Sequence, residues 1–83
     1  MNKVQIYTSS NCPYCIRAKQ LLDSKGVEYD EVNLDNNPEQ KLEAMQKHNW
    51  RTVPIILIGD ELIGGYDQLV SLERANKLDE LLN

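Results

Sequence analysis

The chain has 83 residues, a length that fits one domain with a compact core. Hydrophobic residues make up 41% of it and charged residues 27%, a globular composition that excludes a disordered chain. The formal net charge of -4 argues against nucleic acid as a partner, because nucleic acid calls for a basic face. No apolar run reaches the roughly 18 to 20 residues that a membrane-spanning helix needs. We therefore expect one domain over residues 1–83 that binds neither nucleic acid nor membranes.

The two cysteines of the chain, Cys12 and Cys15, lie close together. Residues 1–7 lack the apolar run and cleavage site of a secretory signal, so we expect a cytoplasmic protein. In that reducing compartment a close cysteine pair is more often catalytic or metal-binding than a structural bridge. Residues 1–27 also carry four basic side chains against one acidic side chain. These positive surroundings favour a thiolate and an anionic small substrate.

The first elements are a strand and a helix. Residues 4–7 alternate in a β-rich pattern, and the polar residues 8–11 indicate the loop that ends this strand. Pro13 fits the first position of a helix, which places Cys12 at the N-cap, and Gly26 is suited to stop the helix. The apolar stripe of this helix consists of Cys15, Ala18, Leu21 and Leu22.

A second strand and a second helix follow. The strand is expected within residues 27–34. Asn37 is suited to an N-cap, with Pro38 at the first helical position and Gln40 as a capping-box residue, and the helix should run to about His48. The residues of this helix that we expect to face inward are Leu42 and Met45.

The last part of the chain predicts a hairpin and helical segments. Residues 55–58 are a continuous apolar run of strand length, and Gly59-Asp60 suits a type II′ turn into an antiparallel strand over residues 61–63. After Gly64-Gly65, a helix is expected over residues 66–76. A short turn or helix should then span residues 78–82, and the packing residues of the longer helix are Leu69, Val70 and Leu72.

The order of these elements, βαβαββα, predicts an α/β fold. A right-handed βαβ unit followed by a hairpin gives a four-stranded mixed sheet with helices on both faces. The loop before the first helix then lies at the carboxyl edge of the first strand, where α/β proteins tend to bind ligands.

The cysteine pair on this loop has the spacing of a redox site. A sulfur at the N-cap can accept hydrogen bonds from backbone N–H groups near Tyr14 and Cys15, which stabilises a thiolate. Cys15 lies one helical turn later on the inner side, so we expect it to be buried and protonated. Cys12 is thus predicted to attack a substrate disulfide, and Cys15 to resolve the mixed disulfide.

Two other interpretations of the pair are open. A zinc site needs four ligands, and beyond the two cysteines the chain offers only His48, more than thirty residues away. Two buried structural cysteines would leave unexplained a proline at the first helical position directly after Cys12. We therefore expect no metal site.

Three motifs together resemble a dithiol glutaredoxin over essentially the whole chain. They are Cys12-Pro13-Tyr14-Cys15, Thr52-Val53-Pro54 and Gly64-Gly65-Tyr66-Asp67. The resemblance implies a thioredoxin-like fold, a cis bond before Pro54, and glutathione as a co-substrate with no bound cofactor. It also implies a monomer whose partners are disulfide-containing or glutathionylated proteins.

The same resemblance implies a set of site residues. Val53 would hold the cysteine of glutathione, the backbone at Tyr66 and Asp67 would meet the γ-glutamyl carboxylate, and Tyr14 and Arg51 would lie near the glycine carboxylate. The glutathione-binding residues are thus expected to be Tyr14, Arg51, Thr52, Val53, Pro54, Gly65, Tyr66 and Asp67.

Two positions depart from the family pattern. Ser9 stands where many glutaredoxins carry a lysine, and Ile55 stands where a polar or basic residue is frequent. At Ile55 the chain slightly resembles redoxins that are reduced by thioredoxin reductase. A redoxin of that kind is one competing function. The other is an iron–sulfur carrier in which two chains each contribute Cys12 and two glutathione molecules complete the ligands.

Overall fold

A computed structural model describes residues 3–35, 37–50 and 52–82 of the chain. Within these residues there are four strands and four helices. The strands are β1 (Val4–Thr8), β2 (Tyr29–Asn33), β3 (Ile55–Ile58) and β4 (Glu61–Gly64). The helices are α1 (Pro13–Ser24), α2 (Pro38–His48), α3 (Tyr66–Arg74) and α4 (Leu78–Leu82).

In the described part of the chain the four strands form one mixed sheet in the order β2-β1-β3-β4. β1 pairs with β2 in parallel and with β3 in antiparallel orientation, and β3 pairs with β4 in antiparallel orientation. The loop from β3 to β4 has two residues, and Gly59 adopts a φ of 62° that a hairpin turn of this length requires. The predicted sheet is therefore confirmed, including its hairpin.

The core lies on both faces of this sheet. Alternate residues of β1 are buried, whereas all four residues of β3 are buried, as expected for a central strand covered on both sides. α1 presents its predicted apolar stripe to the core and ends before Gly26, whose φ is 68°. The main cluster of buried core residues is Val4, Ile6, Ala18, Leu22, Val27, Ile56, Ile58, Leu69, Leu78 and Leu82.

The prediction that Leu42 faces inward is wrong. Leu42 is 60% exposed, whereas Ala44 is buried and Met45 is half-buried. Side chains two positions apart on an α-helix differ in direction by about 200° around its axis. A helix that turns Ala44 inward therefore turns Leu42 outward. The His48 ring contacts the Tyr7 ring of β1, with 6.4 Å between the ring centroids. His48 follows Ala44 by four residues and shares its helix face, so this contact keeps that face turned inward.

The predicted capping box of α2 is also wrong. Asn37 occupies the N-cap, but its side chain donates to the Asn33 carbonyl at 3.1 Å instead of capping the helix. Its backbone N–H, which Gln40 was expected to bind, donates to the Leu34 carbonyl at 3.1 Å. The preceding turn thus takes the backbone N–H that a capping box needs and holds the Asn37 side chain by its amide nitrogen.

No helix in residues 3–35, 37–50 and 52–82 is both long and apolar enough to cross a bilayer.

Truncation of a buried residue of α1 tests this packing. Leu22 is fully buried, so Leu22→Ala should lower the free energy of unfolding by about 2 to 5 kcal/mol, because it removes apolar contacts and leaves a cavity. The matched variant Leu42→Ala should change it by no more than about 0.5 kcal/mol. Urea unfolding followed by circular dichroism measures both values, and a larger effect at Leu42 would contradict the orientation of α2.

Candidate functional site

Cys12 lies where β1 leads into α1 and occupies the N-cap of that helix. Its backbone is extended, with φ of -118° and ψ of 101°, and Pro13 takes the first helical position. The Cys12 sulfur accepts a hydrogen bond from the Cys15 N–H at 3.1 Å. This geometry confirms the predicted N-cap and gives an anionic sulfur a direct donor, together with the positive end of the helix dipole.

The second contact of the Cys12 sulfur comes from a distant part of the chain. Its thiol donates to the Val53 carbonyl at 3.6 Å, and the Val53-Pro54 peptide bond is cis, as the resemblance implied. The sulfur therefore lies between a donor on its own helix and an acceptor in the loop before β3. The first contact stabilises the thiolate, and the second stabilises the thiol.

Cys15 has a different environment from Cys12. Its side chain is 1% exposed, and burial together with a hydrogen bond to the Cys12 side chain raises its pKa to about 12. A hydrogen bond with the backbone of Ser9 acts in the opposite direction. Both thiols are free. Cys15 is therefore a protonated and shielded thiol at neutral pH. Cys12, one helical turn earlier, is 9% exposed and thus also buried, although an N-cap position would allow more exposure.

A groove of about 440 Å³ opens beside the pair. Val53 lines it, and the Val53 carbonyl accepts from the Cys12 thiol, so one residue contacts both the groove and the sulfur. Two aromatic rings flank it, Tyr14 and Tyr66, with centroids 5.9 Å apart. The lining residues are Tyr14, Trp50, Thr52, Val53, Pro54, Gly65, Tyr66, Asp67 and Gln68. The structure thus brings together every predicted glutathione-binding residue except Arg51, which lies outside the described residues.

The groove also contains two residues that the sequence pattern does not single out, Trp50 and Gln68. Gln68 accepts from the Gly65 N–H at 3.1 Å, and its place three residues after the N-cap of α3 is a capping-box signal. Trp50 is the single tryptophan of the chain and lies two residues before Thr52. Its Nε1 is buried without an acceptor among the described residues, so packing holds the ring in place.

Gly64 is required where these side chains meet the backbone. Its φ of 117° is a conformation that other residues rarely adopt. A Cβ at this position would lie 3.0 Å from the Trp50 ring and 3.1 Å from the Gln68 side chain. Gly65, at the N-cap of α3, would place a Cβ 3.7 Å from the Pro54 carbonyl oxygen. The 3.7 Å distance is an ordinary contact, so Gly64 is the position where the Trp50 ring and the Gln68 side chain restrict a larger residue.

Ser9 is anchored to an acidic side chain. Its hydroxyl donates to Asp35 at 2.6 Å, and the Ser10 N–H donates to the other carboxylate oxygen at 2.9 Å. Hydrogen bonds from the Ser10 side chain, the Ser9 hydroxyl and the Ser10 N–H, in that order, lower the pKa of Asp35 to about 2. The loop that leads to Cys12 is thus held by a carboxylate.

In residues 3–35, 37–50 and 52–82, no group of three or more His, Cys, Asp or Glu side chains is arranged to hold a metal ion.

The sequence and the fold are similar to those of known proteins. The family model described as Glutaredoxin matches residues 4–63. A glutaredoxin of Pseudomonas aeruginosa is 53% identical over 83 residues, covering 100% of this chain and 99% of that protein. Glutaredoxin 3 of Escherichia coli K12 is 45% identical over 82 residues, covering 99% of each. A buckwheat glutaredoxin–glutathione complex superposes with a TM-score of 0.91 at 32% identity, covering 98% of this chain and 76% of that one. The predicted thioredoxin-like fold is thus confirmed.

Substitution of two glycines separates backbone strain from crowding in the groove. Gly59→Ala should cost about 1 to 2 kcal/mol of unfolding free energy, because its φ is positive but no atom would contact the new Cβ within 4 Å. Gly64→Ala should cost about 1 to 3 kcal/mol more, because Trp50 and Gln68 must also move. Chemical unfolding of both variants tests this difference. Equal losses would show that the Trp50 ring does not restrict this position.

Proposed function

The chain belongs to the glutaredoxin family of thiol-disulfide oxidoreductases, and we propose that it works with glutathione as its co-substrate. In this proposal Cys12 attacks protein disulfides and glutathione mixed disulfides, and Cys15 resolves the intermediate. Residues 1–83 act as a single domain, a monomer in the reducing cytoplasm whose partners are glutathionylated or disulfide-containing proteins.

The observation that carries the proposal is the contact of the Cys12 sulfur with Val53, a residue that lines the groove. The groove volume of about 440 Å³ falls in the range of small-molecule sites, which suits a tripeptide. The similarity to a glutaredoxin that is complexed with glutathione supports the same occupant here.

The walls of the groove suit the parts of glutathione. The cis-proline loop offers the backbone of Val53 and the side chain of Thr52 to the cysteine of glutathione, as an added strand pairs with an edge. The N-terminus of α3 presents N–H groups at Tyr66 and Asp67 to the γ-glutamyl carboxylate. Tyr14 and Arg51 are proposed to bind the glycine carboxylate, because Arg51 supplies a cation and Tyr14 a hydroxyl.

The proposed reaction has two exchanges. The Cys12 thiolate attacks one sulfur of the substrate disulfide, a bond forms between them, and the other sulfur leaves as a thiolate with the electron pair. In the first route, Cys15 attacks the Cys12 sulfur, releases the reduced substrate and leaves a Cys12–Cys15 disulfide, which two molecules of glutathione reduce. In the second route, a molecule of glutathione attacks the mixed disulfide directly and forms glutathione disulfide.

Substitution of each cysteine by serine distinguishes the two roles. Cys15→Ser should retain most of the rate at which glutathione is removed from a mixed disulfide, because that reaction needs one thiol. Its rate of protein disulfide reduction, which needs two thiols, should fall at least about tenfold. Cys12→Ser should lose both activities. The measurement is NADPH oxidation with glutathione and glutathione reductase, on a small glutathione mixed disulfide and on a protein disulfide.

Two outcomes would contradict this proposal. Substantial activity of Cys12→Ser would remove Cys12 as the nucleophile. If thioredoxin reductase instead oxidises NADPH to reduce the wild-type chain in the absence of glutathione, the competing redoxin function replaces the one proposed. Anaerobic reconstitution tests the iron–sulfur alternative. A visible absorption band together with a dimer would support it, and the absence of both would dismiss it.

A further inference from the structure

An ion pair joins the helix that carries the cysteine pair to β2. Lys19 of α1 contacts Glu31 of β2, with 3.0 Å between Nζ and Oε2. The same Glu31 oxygen accepts from the hydroxyl of Thr8 at 2.7 Å, and Thr8 is 1% exposed at the end of β1. Lys19 and Glu31 are about one third exposed in their side chains. We call these two residues the Lys19–Glu31 pair.

The Lys19–Glu31 pair lies next to Cys15. Lys19 follows Cys15 by four residues, so the two side chains are neighbours on one face of α1. Thr8, which holds Glu31, directly precedes Ser9, whose backbone hydrogen-bonds the Cys15 thiol. The Lys19 charge lowers the pKa of Cys15, and it is the smallest influence on this pKa, after burial, the Cys12 hydrogen bond, the Ser9 backbone hydrogen bond and the charge of Cys12.

Other cations of the positive segment 1–27 are engaged elsewhere. The Arg17 guanidinium lies 5.5 Å from the centre of the Tyr14 ring. Lys25 contacts Glu73 at 2.6 Å and Asp79 at 3.2 Å, and Lys3 contacts Asp30 at 3.4 Å. Among these residues, Lys19 is the cation whose charge acts on the buried thiol.

We propose that Lys19, held by Glu31, is a positioning residue for the resolving step: its ammonium group stabilises Cys15 as the thiolate that attacks the mixed disulfide. This inference rests on the proposed two-cysteine cycle. Glu31 keeps the ammonium group beside the thiol and limits its motion into solvent. The pair therefore gives the buried sulfur a charge partner that the groove does not supply.

The resolving step is a thiol–disulfide exchange within the protein. Cys15 loses its proton to solvent, and its thiolate attacks the Cys12 sulfur of the mixed disulfide. The Cys12–Cys15 bond forms as the bond from Cys12 to the substrate sulfur breaks, and the substrate leaves as a thiolate that takes a proton from solvent. The two cysteines are oxidised by two electrons, and the original substrate disulfide is reduced by two.

The test is the rate of this step in Lys19→Met. Reduced protein is mixed with excess glutathione disulfide and quenched in acid at set times, and intact mass separates the reduced protein, the mixed disulfide and the intramolecular disulfide. Lys19→Met should slow conversion of the mixed disulfide to the Cys12–Cys15 disulfide by about three- to tenfold, the size expected for one partly screened charge. The mixed disulfide should accumulate.

Control variants separate this effect from a structural one. Lys19→Arg should restore most of the rate, and Lys19→Gln should match Lys19→Met and serves if the methionine variant does not fold. Lys3→Met removes a cation from a surface pair and should leave the rate unchanged. In the Cys15→Ser background, attack by Cys12 should change by less than about twofold when Lys19 becomes Met.

Two results would overturn the proposal: an unchanged resolution rate in folded Lys19→Met and Lys19→Gln, or an equal slowing of Cys12 attack in the Cys15→Ser background. Failure of the proposed function has a different signature, because the wild-type protein would then form no mixed disulfide with glutathione at all.

Discussion

The first turn of α1 holds the Cys12 sulfur 3.1 Å from the Cys15 N–H, and the other parts of the site are arranged around this contact. The bond exists because Pro13 begins the helix directly after Cys12 and leaves the N–H groups of the first turn without helical acceptors. The two cysteines are unequal, since Cys12 is 9% exposed and accepts a hydrogen bond from the helix, whereas Cys15 is only 1% exposed. Val53 approaches the Cys12 sulfur because β1 and β3 are adjacent strands.

Local signals were sufficient for most of the fold and for the centre of the site. Proline at a helix start, Gly26 at a helix end and the apolar run Ile55–Ile58 each act within a few residues, so the sequence carries them directly. The order of elements then allowed few sheet topologies. The motif residues Tyr14 and Tyr66, far apart in the chain, were predicted to meet only through the family resemblance, and the groove brings them together.

Features that depend on tertiary packing were not predictable in this way. Leu42 fits a helical stripe, but the face that α2 buries is decided by its neighbours in space, including the Tyr7 ring against His48. Asn37 has the right type for a cap, yet a turn from β2 uses its polar groups. Trp50 follows the end of α2 by two residues and enters the groove beside Gly64, which is far from it in the sequence. Composition showed positive charge near the cysteines but not that Lys19 lies beside the buried one.

The central proposal is that glutathione occupies the groove beside Val53 with its sulfur bonded to Cys12. The most direct test is a crystal structure of the Cys15→Ser variant trapped as its mixed disulfide with glutathione. We predict that the glutathione sulfur is bonded to Cys12, that its cysteine pairs with the Val53 backbone, and that its γ-glutamyl carboxylate lies at the N-terminus of α3. Glutathione bonded to Cys12 but directed away from the groove, with no contact to Val53 or to the start of α3, would contradict the account.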